Sequence, residues 1–170
     1  MEDYKGIIII AFGNNHCINN LERNFTMIEQ DTIKLLRECD AGVKMGVSSI
    51  DDVLPYVSDE QLKCRLEKCK NEHEKLDCEI DERLERFKDD GKEPAAIAKG
   101  MSWMKTSVML TINESDSTIA DLMTDGCNMG VKSLNKYLNK YKAADEVSKD
   151  ITKRLINLEE KLAVDMRGYL

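Results

Sequence analysis

The sequence predicts an all-α protein built as a four-helix bundle. Apolar residues recur at every third or fourth position over most of the chain, and only two prolines interrupt that pattern. Outside the N-terminal segment, no run of alternating apolar and polar residues indicates a strand. A length of 170 residues fits one domain, which we expect over 16–170 after an N-terminal extension, 1–15.

The first helix is predicted to begin near residue 15. Its apolar stripe keeps one phase from Phe25 to Val53, which favours a single helix that ends at Leu54, before Pro55. Two glycines inside this stretch favour a different end near Gly42. The sequence leaves both boundaries open.

The second helix, about 59–89, carries the clearest stripe, which stays on one face for about seven turns. Ser58 and Gln61 form a capping box at its start, and Gly91 and Pro94 follow its end. The residues predicted to face the core are Leu62, Leu66, Cys69, His73, Leu76, Ile80, Leu84 and Phe87.

Three more helices are predicted, over about 94–112, about 117–142, and from a cap at Asp145 to the C-terminal region. Short turns join the first two helices and the last two, so each pair is expected to be antiparallel. The helix between the pairs spans about 27 Å and can cross from one pair to the other. The stripe of the penultimate helix reads Ile119, Leu122, Gly126, Met129 with Gly130, Ser133, Tyr137 and Tyr141. The stripe of the last helix reads Ile151, Leu155, Leu158, Leu162 and Met166.

Four segments carry a resemblance to a known family: Met101–Lys105, Asp116–Ala120, Thr124–Gly126 and Lys132–Tyr137. They resemble small bacterial ferritin-like domains of unknown function, over about 20–168. The resemblance implies a ferritin-like four-helix bundle with the order up-down, crossover helix, down-up. It implies no particular activity.

Ferritin-like enzymes hold two metal ions with a glutamate from each of two helices and a Glu-x-x-His pair from each of the other two. This chain departs from that pattern. Lys70 stands three residues before His73, Leu162 stands three residues after Glu159, and no histidine follows residue 73. A full dinuclear site is therefore not predicted.

A reduced site for iron or manganese remains an alternative, with Glu29, His73, Asp125 and Glu159 as ligands. If the first helix is unbroken, Glu29 lies about three turns from the level of His73, whereas a helix that ends near Gly42 brings them together. The other interpretation makes His73 a core residue that bonds to a carboxylate such as Glu29.

The charge and the cysteine content limit the classes of partner and the cellular location that we expect for this protein. A net charge of -7 argues against nucleic acid and anionic membranes as partners, because phosphate binding needs a basic face. The six cysteines include no C-x-x-C pair, and the apolar run 7–12 is too short to span a membrane, which together favour a cytoplasmic protein.

The chain carries no catalytic motif, so we expect a non-catalytic helical bundle without a cofactor, in a structural, stress-related or partner-binding role. The alternative is a degenerate ferritin-like metal-binding protein or oxidoreductase. A third hypothesis is a homo-oligomer, with Met123, Tyr137 and Tyr141 at its interface.

Overall fold

The computed structural model describes residues 15–89 and 115–170, with side chains from residue 26 onward. Residues 1–14 and the third predicted helix, 94–112, lie outside this part of the chain. The all-α prediction is confirmed for the described residues, which contain no strand and form four α-helices: α1 (Asn15–Val53), α2 (Glu60–Arg86), α3 (Asp116–Lys140) and α4 (Glu146–Met166).

The first helix is unbroken. Gly42 and Gly46 lie within α1, so the longer of the two predicted boundaries is the right one. A short 3-10 turn, Leu54–Tyr56, follows it and contains Pro55, whose missing N–H cannot continue an α-helix.

The start of α2 differs from the prediction. Its N-cap is Asp59, whose carboxylate accepts hydrogen bonds from the backbone N–H groups of Gln61 and Leu62, both at 2.8 Å. Ser58 therefore lies one residue before the N-cap, and its backbone N–H donates to Asp116 Oδ1 on another helix at 2.8 Å. The positive end of the helix dipole also stabilises a carboxylate at the N-cap.

The end of α2 is closed by local backbone hydrogen bonds, and Gly91, which was predicted to follow it, lies outside the described residues. Lys88 adopts a left-handed conformation with φ 53°. Its N–H donates to the Glu85 carbonyl, and the Asp89 N–H donates to the Leu84 carbonyl at 3.2 Å. This is the Schellman pattern, with a lysine where glycine is usual.

Bonds at the two ends of the bundle fix the helix directions. At one end, Asp116 accepts from the N–H groups of Ser58 and Asp59, so α2 and α3 begin together. At the other end, Asp145 N–H donates to Thr32 Oγ1 at 2.9 Å, so the α3–α4 turn lies beside the early part of α1. The order of directions is therefore up, down, down, up, and α2 ends about 40 Å from where α3 begins.

The four helices enclose a core in two halves. Helix α2 packs on α1 and α4, α3 packs on α4 and α1, and α1 also contacts α4. Every α2 residue predicted to face the core from Leu62 to Leu84 is buried, and Phe87 is partly buried. The core half near the α1–α2 turn includes Ile50, Leu62, Leu66, Met123 and Leu162, and the half near the α3–α4 turn includes Leu36, Val43, Ile80, Leu134 and Leu155.

The predicted face of α3 is partly wrong. Met129 is 51% exposed, whereas Met123 and Cys127 are buried. The buried seam is thus rotated around the helix relative to the predicted stripe, because α3 packs with α4 along its Ala120–Cys127–Leu134 side. Met123 and Tyr141, proposed above as interface residues, are buried inside this chain.

Candidate functional site

His73 lies at the centre of the bundle with both ring nitrogens in hydrogen bonds. Its side chain is 1% exposed, and Nε2 lies 3.0 Å from Glu159 Oε1 on α4. Nδ1 lies 3.0 Å from the backbone carbonyl oxygen of Cys69, one turn earlier on α2. With a proton on each nitrogen, the ring donates to the carbonyl on one side and to the carboxylate on the other.

Each of the four helices contributes one residue at this level, and we call Gly46, His73, Gly130 and Glu159 the polar layer. A Cβ atom on Gly46 would lie 2.8 Å from His73 Nε2, so the ring packs against the bare backbone of α1. A Cβ atom on Gly130 would lie 3.4 Å from Glu159 Cδ. The two glycines therefore make room for the two polar side chains, and the layer separates the two halves of the core.

Two cysteines adjoin the polar layer. Cys69 Sγ lies 3.6 Å from His73 Nδ1. Burial, then the charge of Glu159 and a hydrogen bond to it, raise the pKa of the Cys127 thiol far above its usual range. Both thiols are free and buried, and both residues belong to the core half near the α1–α2 turn.

The charge state of His73 follows from its contacts. Burial by itself lowers the pKa of His73, but the hydrogen bonds to Cys69 and Glu159 outweigh it and raise that pKa from 6.5 to about 10. At neutral pH His73 is therefore an imidazolium, and the positive charge of the buried ring has the carboxyl group of Glu159 as its hydrogen-bond partner.

Of the four residues predicted as metal ligands, the structure brings two together. His73 and Glu159 meet in the polar layer, whereas Glu29 and Asp125 are exposed. Glu29 lies about 25 Å along α1 from Gly46, at about 1.5 Å per residue. Asp125 is turned about 200° around α3 from the buried Cys127.

The alternative partner named for His73 was also wrong. The carboxylate that bonds it is Glu159 rather than Glu29, because the unbroken α1 carries Glu29 far from this level. Thr32, which shares the predicted stripe of α1, is buried and accepts a hydrogen bond from Asp145 N–H.

The residues of the polar layer do not fit a dinuclear iron site. Such a site needs carboxylates from all four helices, but α1 and α3 present glycines here. Lys70 occupies the place of the glutamate in a Glu-x-x-His pair and binds Asp51 at 2.6 Å on the surface. Glu159 is the one carboxylate that bonds to His73 within the described residues.

A second carboxylate cluster lies between α1 and α2. Among the described residues, Asp40, Asp77 and Asp81 are the one group whose candidate ligand atoms all lie within 4.8 Å of one another. Lys44 Nζ lies 2.6 Å from Asp40 Oδ1, so an ammonium group already balances part of this charge. Burial and the neighbouring Asp81 raise the pKa of Asp77.

Sequence reasoning missed the role of Gly46 and the burial of Cys127, and it placed Gly130 on the stripe of α3 without identifying Glu159 as its neighbour. The spacing of Cys69 and His73, four residues apart in one stripe, was the available signal that a thiol adjoins the histidine. Cys127 was missed because the predicted phase of α3 turned it away from the core.

Comparisons with known proteins add no assignment. No protein-family model matches the chain, and searches of curated proteins and of solved structures return no match. Within 15–89 and 115–170, no helix is both long enough and apolar enough to cross a membrane. In the part of the chain that the structure describes, the protein is an all-helical bundle.

Proposed function

We propose that this protein is a non-catalytic helical bundle with a structural, stress-related or partner-binding role. The observation that carries the proposal is that both ring nitrogens of His73 are hydrogen-bonded inside the protein, to Cys69 and Glu159. A catalytic histidine needs a nitrogen that reaches substrate. Here the imidazole ties α2 to α4 and sets the register of the two helices.

The proposed fold is ferritin-like. The order up, down, down, up supports it, as do the short connections at Leu54–Asp59 and Tyr141–Asp145. A long return between the second and third helices is the feature that distinguishes this arrangement from a simple up-down bundle.

We further propose a cytoplasmic location with no nucleic acid or membrane partner. The five described cysteines are all free, which suits a reducing compartment. The net charge of -7 disfavours binding to phosphate-rich partners.

A double-mutant cycle on His73 and Glu159 tests the structural role. If the pair holds the helices in register, His73→Gln and Glu159→Gln each lower stability, and their effects are coupled by about 0.5–3 kcal/mol. Urea unfolding followed by circular dichroism gives these values. A catalytic or ligand-binding pair often behaves in the opposite way, since its replacement relieves strain and stabilises the fold. Higher stability in both single variants would therefore refute the proposal.

Metal binding, with or without redox chemistry, is a second candidate function. The observation that favours it is that an imidazole, a carboxylate and a thiol lie next to one another in the core, at His73, Glu159 and Cys69. The iron or manganese expected from the sequence would need more oxygen ligands than this layer supplies. Metal analysis of the purified protein tests this candidate.

Self-association remains a proposal that needs a different surface from the predicted one. Exposed apolar side chains include Met129 on α3 and Val164 on α4, each 51% exposed. A mass in solution that stays at one chain at every concentration would exclude a homo-oligomer.

A further inference from the structure

We propose that the outer face of α3 pairs with the same face of a second copy of this chain, with the two helices antiparallel. This inference rests on the proposed self-association and names the surface that carries it. We call this face the α3 ridge, and its residues are Asp121, Asp125, Asn128, Met129, Lys132 and Lys136. All of them are exposed, and at about 100° per residue they lie within an arc of about 100°, opposite the buried seam of the helix.

The α3 ridge changes sign at its midpoint, just before Met129. Its two carboxylates, Asp121 and Asp125, lie on the N-terminal side of this point, and its two ammonium groups, Lys132 and Lys136, lie on the C-terminal side. Asp125 and Lys132 are each about 5 Å along the axis from the midpoint, at about 1.5 Å per residue. Asp121 and Lys136 are each about 11 Å from it. Opposite charges are therefore placed at equal distances on the two sides.

This spacing makes the α3 ridge complementary to itself. In a twofold symmetric pair the same patch serves both copies, and the two helices run in opposite directions. With the twofold axis at the midpoint, Asp125 of each copy faces Lys132 of the other, and Asp121 faces Lys136. The two Met129 side chains, each 51% exposed in the single chain, then lie together beside the axis and are removed from water.

The charges of the α3 ridge are unpaired within the part of the chain that the structure describes. Surface charges on the other helices form ion pairs, such as Arg154 with Glu79 and Lys149 with Glu146. Among the described residues, no ion pair includes a residue of α3. Charged ridge residues four apart carry the same sign, which destabilises an isolated helix. A second copy supplies the opposite charges.

The helix dipole explains only part of this order of charges. It stabilises acidic residues near the start of a helix and basic residues near the end, but the effect falls off within the first and last turns. Asp116 and Lys140 lie in those turns. Asp125 lies about two and a half turns after the start of α3, and Lys132 lies about two turns before its end. An antiparallel partner accounts for the charges at these two inner positions.

The pair should be weak and sensitive to salt. Its contact is one face of two 25-residue helices, with one apolar side chain from each copy at the centre. Interfaces of this small size are typical of transient association. Salt screens exposed charges, so association weakens as the ionic strength rises. We expect a dimer that dissociates on dilution through the micromolar range.

Sedimentation equilibrium of the full chain, at several protein concentrations and at low and high sodium chloride, measures this association. We expect a reversible equilibrium between monomer and dimer, with a dissociation constant that rises as salt is added. Circular dichroism of the parent and of every variant checks that the chain is folded.

Charge reversal tests the surface and its register. The basic variant carries Asp121→Lys and Asp125→Lys, and the acidic variant carries Lys132→Glu and Lys136→Glu. In a homodimer of either variant, like charges meet at every contact, so the dissociation constant should rise by more than about tenfold. A mixture of the two variants should form a dimer with one copy of each, because every contact again joins opposite charges. The chain with all four changes should dimerise with itself for the same reason.

Lys153→Glu combined with Lys161→Glu is the matched control. Both lysines are exposed on α4, and the change in net charge equals that of the acidic variant. This control should dimerise as the parent does. Met129→Ser removes the apolar centre and should weaken the dimer while its dependence on salt remains.

The outcomes separate this inference from the proposals above. A parent chain that stays monomeric at every concentration overturns the inference together with self-association, and leaves the structural role of the His73–Glu159 pair standing. A dimer that survives both charge reversals overturns the α3 ridge as the surface and leaves self-association standing. Loss of the dimer in both variants without recovery on mixing overturns the antiparallel register. Recovery on mixing in a chain whose His73–Glu159 cycle shows no coupling supports the inference while refuting the structural proposal.

Discussion

Gly46→Ala tests the packing of the polar layer directly. In the middle of an ordinary helix, this change is expected to stabilise by about 1 kcal/mol. Here the added Cβ would lie 2.8 Å from His73 Nε2 and 2.9 Å from Cδ2. The ring cannot move away freely, since it is buried and bonded at both nitrogens. Overpacking of this kind costs about 1–3 kcal/mol.

Gly42→Ala is the matched control, one turn earlier on the same helix. Its Cβ would meet the nearest atom, Leu155 Cδ2, at an ordinary contact distance of 3.7 Å. The helix-propensity gain is common to both variants, so their difference isolates the clash. We expect Gly46→Ala to be less stable than Gly42→Ala by about 1–3 kcal/mol.

Urea unfolding of the two variants measures this difference, and thermal unfolding should separate their melting temperatures by about 2–4 °C per kcal/mol. If Gly46→Ala is as stable as Gly42→Ala, the His73 ring does not pack against α1. Adding His73→Ala to Gly46→Ala should remove the clash and restore the propensity gain.

Three further predictions concern single groups. The pKa of His73 is raised to about 10 in the folded state, so its contribution to the free energy of unfolding is fully present below about pH 6.5 and is lost as the pH rises towards 10. Urea unfolding measured across this pH range should show the loss, and Glu159→Gln should make the stability depend less on pH. Asp59→Ala should cost about 0.5–2 kcal/mol in urea unfolding through loss of the N-cap, and an equal loss from Ser58→Ala would contradict the assignment of the cap. Lys88→Gly should raise the melting temperature, because it relieves about 1 kcal/mol of left-handed strain; a lower melting temperature would refute this.

The core faces of α2 and α4 could be predicted from the sequence, but that of α3 could be predicted only in part. In α2 and α4, large aliphatic residues mark one face at every turn, so the periodic pattern identifies the buried side. In α3 the small residues Ala120, Cys127 and Gly130 lie in or beside the true seam, whereas the larger Met129 lies outside it. A prediction from hydrophobicity alone therefore places the larger Met129 side chain in the core instead of its smaller neighbours.

The candidate site was predicted in part. His73 stood out because a titratable residue occupied an apolar stripe, and Glu159 was named among its potential partners. Glu29 was chosen because it shares the phase of the α1 stripe, but phase fixes only the direction of a side chain around its helix. The level at which α1 meets α2 decides the contact, and that level depends on packing along the whole interface.

The sequence by itself determined that this chain is helical, where most helices begin and end, and which face of α2 is buried. These properties follow from local periodicity and capping, which act within a few residues. The tertiary structure alone decided that His73 meets Glu159, that Gly46 and Gly130 leave space for them, and that Cys127 is buried in the core. Such contacts join residues far apart in the chain, and they are fixed by the relative heights and rotations of packed helices, which no local pattern encodes.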